Sequence, residues 1–175
     1  IAGDICGSTF EMGSCKRADF RFFRAGSKFT DDTVCTVAVA EALLGDADFA
    51  GALRRWVTRY PNRCYGGMFV KWAAGTEGPY NSFGNGGAMR VAPAGLLATS
   101  LEEAEFLAEQ SAAVTHNHPE GVKGAQAVAA AIWWARQGVG AAEMRGLLSE
   151  RYGYDLSATV AEMASTDASK RFSAL

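Results

Sequence analysis

Phe29-Thr30-Asp31-Asp32-Thr33 stands directly before a helical run and sets two adjacent carboxylates beside a hydroxyl. Such an all-oxygen donor set suits a hard divalent cation, Mg²⁺ or Mn²⁺, rather than zinc. Two crowded carboxylates repel, and a divalent ion between them relieves the repulsion. The plainer reading is capping: one aspartate caps the helix and the other favours its positive dipole end. A second candidate acid, Glu11, closes the stretch Gly3-Asp4-Ile5-Cys6-Gly7-Ser8-Thr9-Phe10-Glu11. Its glycines permit tight helix contact or close approach of backbone to a ligand. Taken alone, Glu11 reads as a surface glutamate and Asp4 as a hydrogen-bonding residue that fixes the loop.

Two further segments suit an anionic ligand. Ser82-Phe83-Gly84-Asn85-Gly86-Gly87-Ala88-Met89-Arg90 leads into an apolar helix. Glycine-rich backbone ahead of a helix N-terminus presents free N–H groups that can cradle phosphate, and a flexible turn is the competing reading. The spacing is not that of a Walker A loop, whose lysine is absent, and no strand precedes it. Thr115-His116-Asn117-His118-Pro119-Glu120-Gly121 carries both histidines. His116 suits a polar contact to phosphate or ribose, and His118 suits a helix cap beside an N1 proline.

These segments need helices to hold them. Val34, Val37, Ala40 and Leu44 recur on one helix face, and Phe49, Leu53, Trp56 and Tyr60 on the next. Met68, Phe69 and Trp72 predict a short third helix. Ser100-Leu101-Glu102-Glu103 has the form of a capping box and opens a helix to about Val114. Val122, Ala125, Ala129 and Ile132 line another helix, ended by Gly138, and Met144, Leu147, Leu148 and Tyr152 a further one. No alternating strand pattern stands out, and alanine-rich runs favour close helix approach. The expected fold is a compact all-α bundle. Glycines gather in presumed loops at 3–13, 62–67, 75–87 and 116–121, where chemistry is expected.

The 175 residues suit a single domain, 1–175, with a buried core. The net charge of −2 gives no general attraction for nucleic acid, so any ligand is recognised by a site rather than by bulk charge. The cysteines, Cys6, Cys15, Cys35 and Cys64, form no C-x-x-C pair and read as reduced thiols of a cytoplasmic protein. The longest apolar stretch, 127–135, is too short to span a membrane.

Together and in this order, G-D-I-C-G-S-T-F-E, F-T-D-D-T, S-F-G-N-G-G-A-M-R-V-A-P and T-H-N-H-P-E-G-V-K-G-A resemble the ADP-ribosylglycohydrolase family up to about residue 155. The resemblance implies an all-α orthogonal bundle around a cleft with two Mg²⁺ ions, Mn²⁺ being the alternative. It implies a hydrolase that releases ADP-ribose from modified proteins or small acceptors by cutting an N- or O-glycosidic bond. ADP-ribosylated nucleic-acid bases remain among the acceptors it allows. By resemblance, Thr30, Asp31 and Asp32 are metal ligands, with both aspartates catalytic. Glu11 is the acid beside the scissile bond that positions or deprotonates water. Ser82, Gly84, Gly86 and Met89 hold diphosphate and ribose, Phe83 packs near the adenine, and His116 contacts phosphate or ribose. Asp4 supports the motif.

The family's second metal motif, of the form G-G-D-x-D-T, is absent from this sequence. Ser165-Thr166-Asp167-Ala168 does not replace it. Three expectations follow: the sequence is part of a longer protein, the chain borrows ligands from another copy, or it is an inactive module that binds ADP-ribose or a related nucleotide.

Overall fold

The computed structural model describes residues 1–11, 19–76, 78–159 and 161–162. Among them there are nine helices and no strand, so the chain is all-α. In chain order they are α1 (Ala2–Gly7), α2 (Asp31–Leu44), α3 (Phe49–Arg59), α4 (Gly67–Ala74), α5 (Gly86–Met89), α6 (Ala92–Leu97), α7 (Leu101–Ala113), α8 (Pro119–Arg136) and α9 (Ala141–Tyr152). Cys15 and the tail segment Ser165–Ala168 lie outside the described residues.

Side-chain size dictates how these helices meet. α2, α3 and α4 bury Val39, Phe49, Leu53, Phe69 and Trp72 together. The layer formed by α6, α7 and α8 is built differently: Val91 apart, its buried apolar residues are alanines at 94, 98, 104, 108, 112, 125 and 129. Methyl groups bring helix axes close, so backbone packs on backbone. Gly95 marks the tightest point, where a Cβ would lie 2.5 Å from the Ala129 carbonyl oxygen. Leu43 of α2 touches both clusters and ties the layers together. α9 docks on α8 through Trp134 and Tyr152. Its position is fixed by Arg151, whose Nε and guanidinium NH2 group donate to both Glu105 oxygens at 2.6 and 2.7 Å.

The cap signals hold with one adjustment. Ser100 accepts from the Glu103 amide at 3.1 Å. The Glu103 carboxylate reaches back one residue further than a standard capping box, to the amide and hydroxyl of Thr99. His118 caps α8 through its Nδ1, which accepts from the Glu120 amide at 3.2 Å. Gly138 follows α8 at φ +85°, a left-handed conformation that glycine adopts without strain.

Two expectations need correction. Ala2–Gly7, read from its glycines as loop, is a helix, and Gly67, Gly86, Gly87 and Gly121 also lie in helices. Tertiary anchoring of Asp4 outweighs the weak helix propensity of glycine in α1. The cap of α2 is the second. Neither Asp31 nor Asp32 is the N-cap residue; Thr30 is, and its side chain makes no cap bond. The capping carboxylate comes from Asp4, in another helix.

Candidate functional site

Asp4 organises the start of α2 from outside it. Its Oδ2 accepts from the backbone amides of Thr30 at 2.9 Å and Thr33 at 3.2 Å, and from the Thr33 hydroxyl at 2.5 Å. Its Oδ1 accepts from the Thr30 hydroxyl at 2.6 Å. Burial alone would raise its pKa, but these hydrogen bonds outweigh burial and hold it below the usual carboxylate value. The Asp31 amide finds its own acceptor, the Arg63 carbonyl, at 2.7 Å. Three of the amides at the helix start, those of Thr30, Asp31 and Thr33, are thus satisfied by remote partners, which spares the side chains of Asp31 and Asp32 from capping them.

Those two carboxylates meet a third. One ligand atom from each of Glu11, Asp31 and Asp32 lies within 4.8 Å of the others, with Glu11 exposed and both aspartates half-buried. Burial, followed by the charge of Asp32 and then those of Glu11 and Asp4, pushes Asp31 up to about 6. Burial and then the charge of Asp4 raise Asp32 as well. A protein that holds repelling carboxylates this close has a place where a cation is favourable. The donor set is all oxygen, and it fits a hard divalent ion. Thr30 is almost fully buried, and its hydroxyl is shared between Asp4 and, at 3.4 Å, Asp32.

The acidic cluster lines two cavities, Asp31 in one and Glu11 and Asp32 in the other. The more enclosed one, about 300 Å³, is lined by Asp31 together with Ser82, Gly84, Gly86, Met89 and His116. Five of the six substrate-binding residues expected from sequence therefore share one pocket with one of the expected metal ligands. The sixth, Phe83, lies on the rim, 75% exposed, with its ring 5.7 Å from that of His118. On the other side a more open cleft of about 380 Å³ is lined by Glu11, Asp32, Asp4 and Phe10.

The pocket's polar wall is locked by its neighbours. The loop 80–85 is pinned to the loop 115–117: the Asn81 amide donates to Asn117 Oδ1 at 2.8 Å, and the Ser82 amide to the Thr115 carbonyl at 3.4 Å. Asn81 has a φ of +53°, which asparagine tolerates better than most residues. Gly86 is required by close approach, since a Cβ there would lie 2.8 Å from Cε1 and Nε2 of His116. Burial, and then the positive charge of Arg90, push His116 down to about 4.

Several lining residues carry no signal that separates them from core or loop in the sequence. Tyr80 places its ring 6.0 Å from His116, and Cys35 and Arg90 also face the cavity. Gly66, the N-cap of α4, and Gly67, its first residue, also line it. Cys64, an exposed thiol in the same loop, hydrogen-bonds to Glu11, and partial desolvation followed by that bond raises its pKa.

With this geometry in view, comparison with known proteins decides the family. The sequence profile of the ADP-ribosylglycohydrolases matches residues 1–173. The chain belongs to the ADP-ribosylglycohydrolase family. Mouse ADP-ribosylhydrolase ARH3 is 33% identical over 135 residues, covering 66% of this chain and 36% of the relative. Human ADP-ribosylhydrolase ARH3 is 31% identical over 135 residues, covering 66% and 37%. An uncharacterised protein of Archaeoglobus fulgidus is 37% identical over 118 residues, covering 60% and 39%. The chain thus spans little more than a third of these relatives' lengths. The family consists of glycosidase-type hydrolases, and a carboxylate cluster able to hold a metal ion agrees with its use of metal ions. No helix among the described residues is long and apolar enough to cross a membrane.

Proposed function

We propose that this chain is part of a Mg²⁺-dependent hydrolase that releases ADP-ribose from modified proteins or small acceptors, acting in the cytoplasm. The observation that carries the proposal is the junction of the Glu11–Asp31–Asp32 cluster with the pocket that Ser82, Gly84, Gly86, Met89 and His116 line. An enclosed pocket with glycine backbone on one wall suits a diphosphate and its riboses. The open cleft beyond Glu11 and Asp32 suits the acceptor, which varies in size.

Asp31 and Asp32, with Thr30 beside them, would hold the metal. A divalent ion bound there supplies charge that fixes ribose hydroxyls and acidifies water. Glycoside hydrolysis passes through an oxocarbenium-like transition state, so a carboxylate near the anomeric carbon stabilises it. Glu11 is the exposed member of the cluster, on the cleft side, and its carboxylate orients a water and accepts its proton. His116 donates to the diphosphate, and Phe83 on the rim covers the adenine.

The similarity to proteins named ADP-ribosylhydrolase supports this reading. A narrower alternative is a module that binds ADP-ribose without cutting it. The variants Asp31→Asn, Asp32→Asn and Glu11→Gln separate the two. On the hydrolase reading, the aspartate variants lose Mg²⁺ binding and turnover, while Glu11→Gln binds ADP-ribose as the wild type does and turns over at least a hundredfold more slowly. Wild-type turnover in Glu11→Gln would remove that residue from the mechanism. Absence of turnover in the wild type, with ADP-ribose binding intact, would favour the module.

A further inference from the structure

Arg90 is 1% exposed, the largest of the fully buried side chains, and it borders the pocket. Burying a guanidinium is costly unless its donors are met. Its terminal NH2 group donates to the Ser111 carbonyl at 2.7 Å and to the Thr115 hydroxyl at 2.8 Å. Core packing of a neutral side chain would have met the same volume without that cost. The geometry beyond Thr115 offers a reason for it.

An arginine has only donors, so the Thr115 oxygen accepts from Arg90. The hydroxyl proton must then go elsewhere, and Thr115 is fully buried. The nearest acceptor is Nδ1 of His116, 2.7 Å away. If Nδ1 instead carried a proton, the Thr115 oxygen would face two donors and its own buried proton would have no acceptor among the described residues, a loss of about 1–3 kcal/mol. Although Arg90 Nε finds no partner, satisfying the Thr115 hydroxyl leaves Nδ1 bare and places the ring's proton on Nε2. That nitrogen is on the side of the ring that faces the glycine loop: it lies 3.8 Å from a Cβ position at Gly84 and, with Cε1, 2.8 Å from one at Gly86, while Nδ1 is 3.8 Å from the latter.

We propose that Arg90 and Thr115 are positioning residues that lock His116 in its neutral, Nε2-protonated tautomer, making it a fixed, uncharged hydrogen-bond donor on the pocket wall. The depressed basicity of His116 agrees with this, since burial and the Arg90 charge both oppose an imidazolium. The relay itself needs no ligand. Its use rests on the pocket being the ADP-ribose site, where a donor already aimed at a phosphate oxygen loses no orientation on binding.

The test is a long-range proton–nitrogen correlation spectrum of the chain at pH 7.5, without ligand or metal. Only His116 and His118 contribute, and His118→Gln assigns them. The relay predicts an unprotonated Nδ1 and a protonated Nε2 in His116 of the wild type. In Thr115→Val the two nitrogens move towards a mixture of tautomers, and in Thr115→Ser, which keeps the hydroxyl, the wild-type pattern returns. A wild-type His116 protonated at Nδ1, or a tautomer unchanged in Thr115→Val, would overturn the relay. The wild-type spectrum alone decides the first point if Thr115→Val does not fold. ADP-ribose affinity then falls about tenfold in Thr115→Val and stays within about twofold in Thr115→Ser. A wild type that shows the predicted tautomer yet binds no ADP-ribose would uphold the relay and reject the ligand, so the two claims fail separately.

Discussion

Replacing Asp4 by alanine should loosen the start of α2 although Asp4 lies 26 residues before it. One carboxylate there accepts from two amides and two hydroxyls, at 2.5–3.2 Å. Hydrogen bonds to a charged group contribute about 1.5–3 kcal/mol each, but they are not additive, and water reaches a half-buried site. Loss of a helix cap alone costs about 0.5–2 kcal/mol. The expected cost of Asp4→Ala is therefore about 2–4 kcal/mol, which for a chain of this size lowers Tm by about 4–16 °C. Asp4→Asn should cost less, about 1–2 kcal/mol. Its amide oxygen can keep the three bonds made by Oδ2, and the Thr30 hydroxyl can turn towards Asp32. Urea unfolding of the metal-free protein measures all three proteins, and a Thr33→Val, Asp4→Ala cycle isolates the shared part at about 1 kcal/mol. An Asp4→Ala protein within about 0.5 kcal/mol of wild type would refute the capping role. So would equal losses in the alanine and asparagine variants.

Two other perturbations follow from the same geometry. Gly86→Ala presses a methyl group against the held ring of His116; it should cost about 1–3 kcal/mol in urea unfolding and weaken ADP-ribose binding at least tenfold in calorimetry. Asp31 sits at about 6 in the folded protein against its ordinary 3.8. The metal-free fold therefore holds that proton more tightly than the unfolded chain, and stability from this residue declines as pH rises from about 4 through 6. Wild type minus Asp31→Asn should show that decline, and Mg²⁺ at pH 7 should raise the Tm of wild type but not of the variant; a difference flat with pH would contradict it.

Much of the scaffold was legible because helix periodicity is local. The apolar positions of α3, α8 and α9 repeat at helical spacing, and Ser100 and His118 cap helices through neighbours two or three residues away. The face read for α2 is wrong: of Val34, Val37, Ala40 and Leu44 only Val34 is buried and Leu44 is 76% exposed, because α2 packs through Cys35, Ala38, Val39 and Ala42. What the sequence hid is what long-range contacts decide. The glycines at 3 and 7 speak for a loop, and only the Asp4 bonds to Thr30 and Thr33 explain a helix there. The T-D-D-T segment names two carboxylates, but the donor that frees them is Asp4 in α1. Arg90 reads as the end of a glycine motif, and its partner Thr115 is 25 residues on. Cys64 against Glu11 joins two loops that no spacing rule connects.

The central claim is that a metal held by the acidic cluster and the adjoining pocket together bind ADP-ribose. Calorimetric titration of this chain with ADP-ribose, once in Mg²⁺ and once in EDTA, tests it most directly. The account predicts binding in Mg²⁺ that weakens at least tenfold in EDTA. Equal affinity in both, or no binding in either, would contradict it.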